Sequence, residues 1–257
     1  MMIDAHIHLD QYPDELLEKY IHDWQENGIE SVVAVATNLS SSYHTLKLKQ
    51  KYPTFIRAAI GHHPEFPPPS STELQELLHL IKREKDLLSG IGEIGLPTYN
   101  KNVLYKHDHE EVFEELLEQF LQVAKAENLP IAIHAVHEES EKALASLKKH
   151  EIKRAHFHWL KSSKKAVSEI VKCGYYISVT PEVCYRERDQ QLAKIVPVHQ
   201  LLIETDAPWQ FNEKFKERET TPLFLKEIVI SLSNILSIPE KELTKNVTTN
   251  TKNLYSL

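Results

Sequence analysis

Short apolar or β-branched runs alternate with amphipathic stretches along the chain, and the alternation repeats eight times. "IDAHIHL" precedes "DELLEKYIHDWQENG", "IESVVAVAT" precedes "SSYHTLKLKQKYP", and "FIRAAIGHHP" precedes "STELQELLHLIKREKD". "LLSGIGEIGL" leads to "HDHEEVFEELLEQFLQVAKAEN", "LPIAIHAV" to "EESEKALASLKKHE", and "RAHFHWL" to "SSKKAVSEIVKCG". "YYISVTP" is followed by the polar, poorly patterned "EVCYRERDQQLAKIV", and "HQLLIETDAPW" by "TPLFLKEIVISLSNIL" and a helical tail. The fourth helix shows the period best, with Val112, Phe113, Leu116, Leu117, Phe120 and Ala124 on one face. "SSTELQE" supplies hydroxyl caps and first-turn glutamates, a helix start. The strands are apolar along most of their length, as in a parallel sheet covered by helices. Eight βα units without a linker predict an α/β fold: one TIM-type barrel of eight parallel strands over residues 1–257, not two domains. "PEFPPPSS" reads as a local proline-rich loop.

Composition narrows the picture little. The chain has 257 residues, 41% hydrophobic and 26% charged, as in an ordinary globular protein. No apolar run approaches the roughly 20 residues that cross a bilayer, no secretory leader is read, and no membrane association is expected. Cys173 and Cys184 form no disulfide framework, so a cytoplasmic location is expected. The formal net charge of −7 argues against coating a long polyanion, though not against local capture of one phosphate. Fifteen histidines matter more, because imidazole is the commonest metal ligand.

In such a barrel the chemistry sits where strands end. His6 and His8 end the first strand, His62 and His63 the third, and Thr37 and Thr180 the second and seventh. Glu93, His134, the pair His156 and His158, and the pair Glu204 and Asp206 lie on the fourth, fifth, sixth and eighth. A strand period of two puts Asp4, His6 and His8 on one face, Asp4 a layer deeper. The same parity makes His158 and Asp206 the rim-side ligands, with His156 and Glu204 as supports that orient them. Any one of these histidines alone reads as structural, satisfied by a backbone carbonyl. Convergence changes that: burying His6, His8, Glu93, His134, His158 and Asp206 together is expensive unless a cation compensates. His22, His44, His79, His107, His109, His150 and His199 fall on polar faces or loops and read as solvated.

Four histidines and two carboxylates exceed what one tetrahedral ion with an open position takes. They suit two divalent ions sharing a carboxylate, and Glu93 is the natural bridge because its strand lies between strand one and strands five and six. The surplus positive charge favours an anionic phosphate ester. The imidazole-rich set favours zinc, manganese, nickel or cobalt over magnesium, which prefers oxygen ligands but stays a candidate.

"DAHIHLD", "IGHHPE", "GEIGL", "LPIAIH", "HWLKSS", "LLIETDAPW" and the tail "NVTTNTKNLY" resemble, in order and spacing, the TatD family of metal-dependent hydrolases and deoxyribonucleases, within the amidohydrolase-like superfamily. The resemblance runs from Ile3 to about Leu254, and "GEIGL" with "ETDAPW" is its specific part. It implies that His6, His8 and Asp206 hold one metal and that His134 and His158 hold the second, with Glu93 bridging. It further implies that His63 contacts the scissile phosphate and that Asp206 deprotonates the attacking water. The implied activity is phosphodiester hydrolysis, as a deoxyribonuclease or 3'-5' exonuclease, with DNA ends among the partners and no stable protein partner. Pro97, Val136, Leu160, Lys161 and Ser162 depart from the family pattern near the substrate. The alternatives are an amidohydrolase-type enzyme on a lactone, amide or small phosphoester, and a non-catalytic metal-binding barrel. Against the first, "LLSGIGEIGL" has no lysine to serve as a modified bridging ligand. Lys101, Arg186 and Arg188 are rim candidates for gripping phosphate, with solvated charge the favoured reading.

Overall fold

The computed structural model describes residues 1–106 and 109–257, so His107 lies outside the described residues. Eight strands are described: β1 (Met2–Ile7), β2 (Ile29–Val35), β3 (Ile56–Ile60), β4 (Leu88–Gly95), β5 (Ile131–His134), β6 (Ala155–Phe157), β7 (Tyr176–Val179) and β8 (Leu201–Ile203). They pair in parallel in chain order, β1 through β8. The seam is closed just beyond the strand ends, where Asp206 N–H donates to the His6 carbonyl and His8 N–H to the Ala207 carbonyl. The buried carboxyl of Asp4 reinforces it, accepting from the His6 and Thr205 backbone amides and the Thr205 hydroxyl.

The helices are α1 (Asp14–Glu26), α2 (Leu39–Lys51), α3 (Ser71–Arg83), α4 (Lys101–Leu104), α5 (Glu110–Glu127), α6 (Glu139–Lys149), α7 (Lys164–Lys172), α8 (Glu187–Ile195), α9 (Leu225–Leu236) and α10 (Glu240–Tyr255). The start of α3 forms the expected capping box: the Ser70 hydroxyl accepts from Glu73 N–H while the Glu73 carboxylate accepts from Ser70 N–H. The apolar stripe of α5 buries Phe113, Leu116, Leu117, Phe120 and Ala124, and its expected start at residue 107 moves to Glu110. Poorly patterned "EVCYRERDQQLAKIV" divides into a short 3-10 turn (Pro181–Cys184) and α8, which buries Asp189, Leu192 and Ala193. No single helix among the described residues is long and apolar enough to cross a membrane.

One large apolar cluster joins residues of the strands to those of the surrounding helices. A second gathers Val33, Val35, Ala59, Ala132 and Leu202 with Ala5, Leu254 and Tyr255, so the C-terminal helix reaches the strands' inner cluster. A Cβ at Gly90 would stand 3.1 Å from the Tyr255 ring, so the bare glycine makes room for that plug. Gly95 is needed for a different reason. Its φ of +157° favours glycine, and a Cβ there would meet the His134 carbonyl oxygen at 1.8 Å.

Two irregularities sit beside the polar rim. Asp4 pairs with Val32 but Ile7 with Ala34, so β1 carries an extra residue at Ala5–His6. Ile91 pairs with Ile131 but Ile94 with Ile133, so β4 carries one at Gly92–Glu93. Such bulges re-aim side chains next to active sites, and here they release His6 and Glu93 from the strict alternation the sequence reading assumes.

Candidate metal centre

Glu93 stands at the middle of the rim, fully buried, and its two carboxylate oxygens face different partners. Oε2 lies 3.1 Å from His6 Nε2 and 3.6 Å from His8 Nε2, while Asp206 Oδ1 is 3.5 Å and 3.4 Å from the same two nitrogens. Donors about 2.1 Å from a tetrahedral ion stand about 3.4 Å from one another, so these four edges have the spacing of one ion's ligand shell. Oε1 faces the other way, 2.7 Å from His134 Nδ1, 3.1 Å from His158 Nε2 and 3.3 Å from His63 Nε2. The structure thus brings together all six residues expected as ligands, with His63 beside them.

Burial makes this arrangement costly without a cation. Both ring nitrogens of His6, Glu93 Oε2 and Asp206 Oδ1 are buried with no hydrogen-bond partner among the described residues. Burial, with the charge of His158, lowers the His6 pKa to about 4. Burial acts the same way on His8, but Asp206 and Glu93 outweigh it and push the value up to about 9. The same contest raises His158 well above its ordinary value through Glu93 and Glu204, and raises His134 through Glu65 and Glu93. Against its own burial, Glu93 is held well below the usual carboxylate range by His63, His158 and His6. At His8, His134 and His158, where neighbouring carboxylates favour the protonated ring, a divalent cation would displace that proton, since ligands bind deprotonated. The donor set fits a metal.

Outer partners fix which nitrogen each imidazole offers. His8 Nδ1 is 3.2 Å from the Val35 carbonyl and His158 Nδ1 is 3.0 Å from Glu204 Oε1, so donation there leaves Nε2 facing the centre. His63 differs. Its Nδ1 accepts from Glu65 N–H at 3.1 Å, so a neutral ring carries its proton on Nε2, which faces Glu93. That makes His63 a donor towards the centre, suited to a phosphate oxygen, although its position beside Glu93 and His134 also has ligand-like spacing. His156 sits deeper, its Nδ1 at 3.0 Å from the Tyr255 hydroxyl and its Nε2 at 3.3 Å from Glu204 Oε2. Asp4, beneath them, acts through the backbone of His6 and Thr205, and burial raises its carboxyl to about 8.

Other expected positions behave differently. His62 turns away and its Nε2 meets the Pro67 carbonyl at 3.0 Å, holding the proline-rich loop. Thr37 and Thr180 serve turns, Thr37 N–H donating to Ser41 Oγ and Thr180 Oγ1 accepting from Glu182 N–H. His22, His79, His109 and His199 are exposed. His44 and His150 are a correction: His44 Nε2 pairs with Asp14 at 2.8 Å and His150 is half-buried beside Glu118. Lys101 pairs with Glu138 and Glu139, Arg186 with Glu182, and Arg188 with Glu182 and Asp189, so their charges already have partners. Pro97, Val136 and Leu160 are buried apolar residues.

Glu65 escaped the sequence reading. It accepts from the backbone amides of Thr98, Tyr99 and Asn100 at 2.6, 2.9 and 2.7 Å, and from His134 Nε2 at 3.3 Å. Burial alone would raise its pKa, but His134 and those amides bring it down to about 2. A permanent carboxylate behind Nε2 leaves His134 Nδ1 for the centre. Glu65→Gln is therefore expected to weaken metal binding about 10- to 100-fold. Competition against a chromophoric chelator measures this, and an unchanged affinity contradicts the role. Asp206 and Trp159 adopt left-handed backbone, φ 50° and 39°, a cost that their surroundings must offset. Backbone contacts hold them there: Asp206 N–H to the His6 carbonyl, and Trp159 N–H to Ser178 Oγ and Glu204 Oε1.

Comparison with known proteins gives the chain's family. The family model described as TatD related DNase matches residues 3–256. An uncharacterized metal-dependent hydrolase of Haemophilus influenzae is 37% identical, covering 100% of both chains. A protein of Erwinia tasmaniensis named 3'-5' ssDNA/RNA exonuclease TatD is 25% identical, covering 93% of each. The crystal structure of YjjV, a TatD homologue from Escherichia coli, superposes with a TM-score of 0.88 at 24% identity, covering 100% of this chain and 98% of that one. The chain belongs to the TatD-related DNase family of metal-dependent hydrolases.

Proposed function

We propose that this protein is a phosphodiesterase acting at the ends of nucleic-acid strands, with two divalent ions held on either side of Glu93. The carrying observation is the division of the Glu93 carboxylate, Oε2 towards His6 and His8, which Asp206 also faces, and Oε1 towards His134 and His158. When bound, such a pair supplies Lewis acidity that activates a water and steadies the leaving oxygen of an in-line displacement. Asp206 takes the proton of the attacking water, and His63 Nε2–H donates to a non-bridging phosphate oxygen. The imidazole-rich set again favours zinc, manganese, nickel or cobalt.

The mouth favours nucleic acid over a small ester. Phe66, Tyr99 and Trp209 are 47%, 55% and 58% exposed, and they surround the centre through contacts with His63, His134 and Trp159. Exposed aromatic rings stack nucleobases without sequence preference. The relative named as a 3'-5' ssDNA/RNA exonuclease supports the same substrate.

Metal removal tests the reading. Chelation is expected to abolish cleavage of labelled single-stranded DNA and of a chromogenic phosphodiester, with recovery on adding manganese or zinc. It should also lower the melting temperature by about 10 °C, since saturation at about 1,000 times Kd contributes about 4 kcal/mol. Activity that survives chelation contradicts a metal mechanism.

A further inference from the structure

Near the mouth, Lys161 is a cation without a carboxylate partner among the described residues. It follows His158 and Trp159 on the loop after β6, and its backbone carbonyl accepts from His137 N–H. Its Nζ donates to the Tyr99 hydroxyl at 2.8 Å and lies 3.7 Å from the centre of the Trp159 ring. No ion pair to Lys161 occurs within 4.0 Å among the described residues, whereas Lys101, Arg186 and Arg188 each have at least one. Both of its ring partners border the metal centre, Tyr99 at 6.1 Å from the His134 ring and Trp159 at 6.4 Å from that of His158.

A half-buried ammonium held by a hydroxyl and an aromatic face retains an unfilled demand for an anion. Burial depresses the Lys161 pKa; Glu182, Asp189 and Asp206 oppose this from a distance while Arg188 adds to it. The tether to Tyr99 and Trp159 fixes the stem and reduces the entropy lost on binding a ligand. The position is one aromatic ring removed from the ligands, too far out for the reacting phosphorus and suited to a neighbouring group.

We propose that Lys161 binds a second phosphate of the substrate, the one adjoining the phosphodiester that is cleaved. The inference rests on the phosphodiesterase reading for its substrate, but its test does not. The metal-loaded protein would be titrated calorimetrically with thymidine 5'-monophosphate and with thymidine 3',5'-bisphosphate. Wild type is expected to prefer the bisphosphate by about 10- to 100-fold, the range for a charge-assisted hydrogen bond to phosphate. Lys161→Met should erase the preference and Lys161→Arg should keep most of it. Lys161→Gln can still donate to Tyr99 but carries no charge, so it should lose the preference at an unchanged melting temperature. In parallel, KM for a dinucleotide bearing a terminal phosphate should rise in Lys161→Gln far more than kcat falls. A preference that persists in Lys161→Gln, or is absent from wild type, overturns the assignment and leaves Lys161 as a strap between two loops. If wild type cleaves no phosphodiester while the bisphosphate preference depends on Lys161, the proposed activity fails and the second anion site stands.

Discussion

Glu93→Gln is expected to reduce phosphodiester cleavage by at least about 1,000-fold and to leave the purified protein with one divalent ion or none. The side chain keeps its size, so the effect isolates charge and ligand chemistry. Glutamine has one acceptor oxygen, whereas Glu93 presents one to His6 and His8 and the other to His134 and His158. Whichever way the amide turns, its NH2 points at one of the two ligand groups, where a metal cannot accept it. A thousandfold loss corresponds to about 4 kcal/mol of transition-state stabilisation, a reasonable share for a carboxylate proposed to hold both ions and balance their charge. Metal analysis beside the kinetics separates lost binding from lost chemistry. Full activity with two ions retained would show that Glu93 does not bridge.

Asp206→Asn should give the second large effect, with a different signature. The left-handed backbone at this position, φ 50°, is one that asparagine tolerates well, so folding should survive. The amide oxygen still faces His6 and His8, but the side chain no longer accepts a proton at neutral pH. The expected outcome is a fall in kcat of about 100- to 10,000-fold, the usual worth of a positioned general base. KM should change little and two ions should remain by elemental analysis. If kcat is unaffected, another group takes the proton. If metal is lost together with activity, Asp206 acts chiefly as a ligand.

The fold was legible because each βα unit repeats the same switch between an apolar run and an amphipathic one, and the parallel order follows from that repetition. The clustered rim residues were legible because "DAHIHLD", "GEIGL" and "ETDAPW" place imidazoles and carboxylates at the ends of apolar strands. Their aim was not. Period-two parity treats His6 and Glu93 as regular strand residues, whereas each sits at a bulge that only the pairing register shows. Glu65 was hidden for another reason: it meets His134 across 69 positions, from a proline-rich loop without periodicity. Tyr255 reaches His156 across 99 positions, and nothing in the polar pattern of α10 marks its last turn as the plug of the barrel. Lys161, Arg186 and Arg188 look alike in sequence, and only their partners separate a satisfied charge from an unsatisfied one.

Diffraction from crystals of manganese- or zinc-loaded protein, recorded at the metal absorption edge, tests the shared carboxylate most directly. Two anomalous peaks are expected, about 3.5–4 Å apart. One should contact Glu93 Oε2, His6, His8 and Asp206, and the other Glu93 Oε1, His134 and His158. A single peak under saturating metal, or two peaks with Glu93 touching only one of them, would contradict the account.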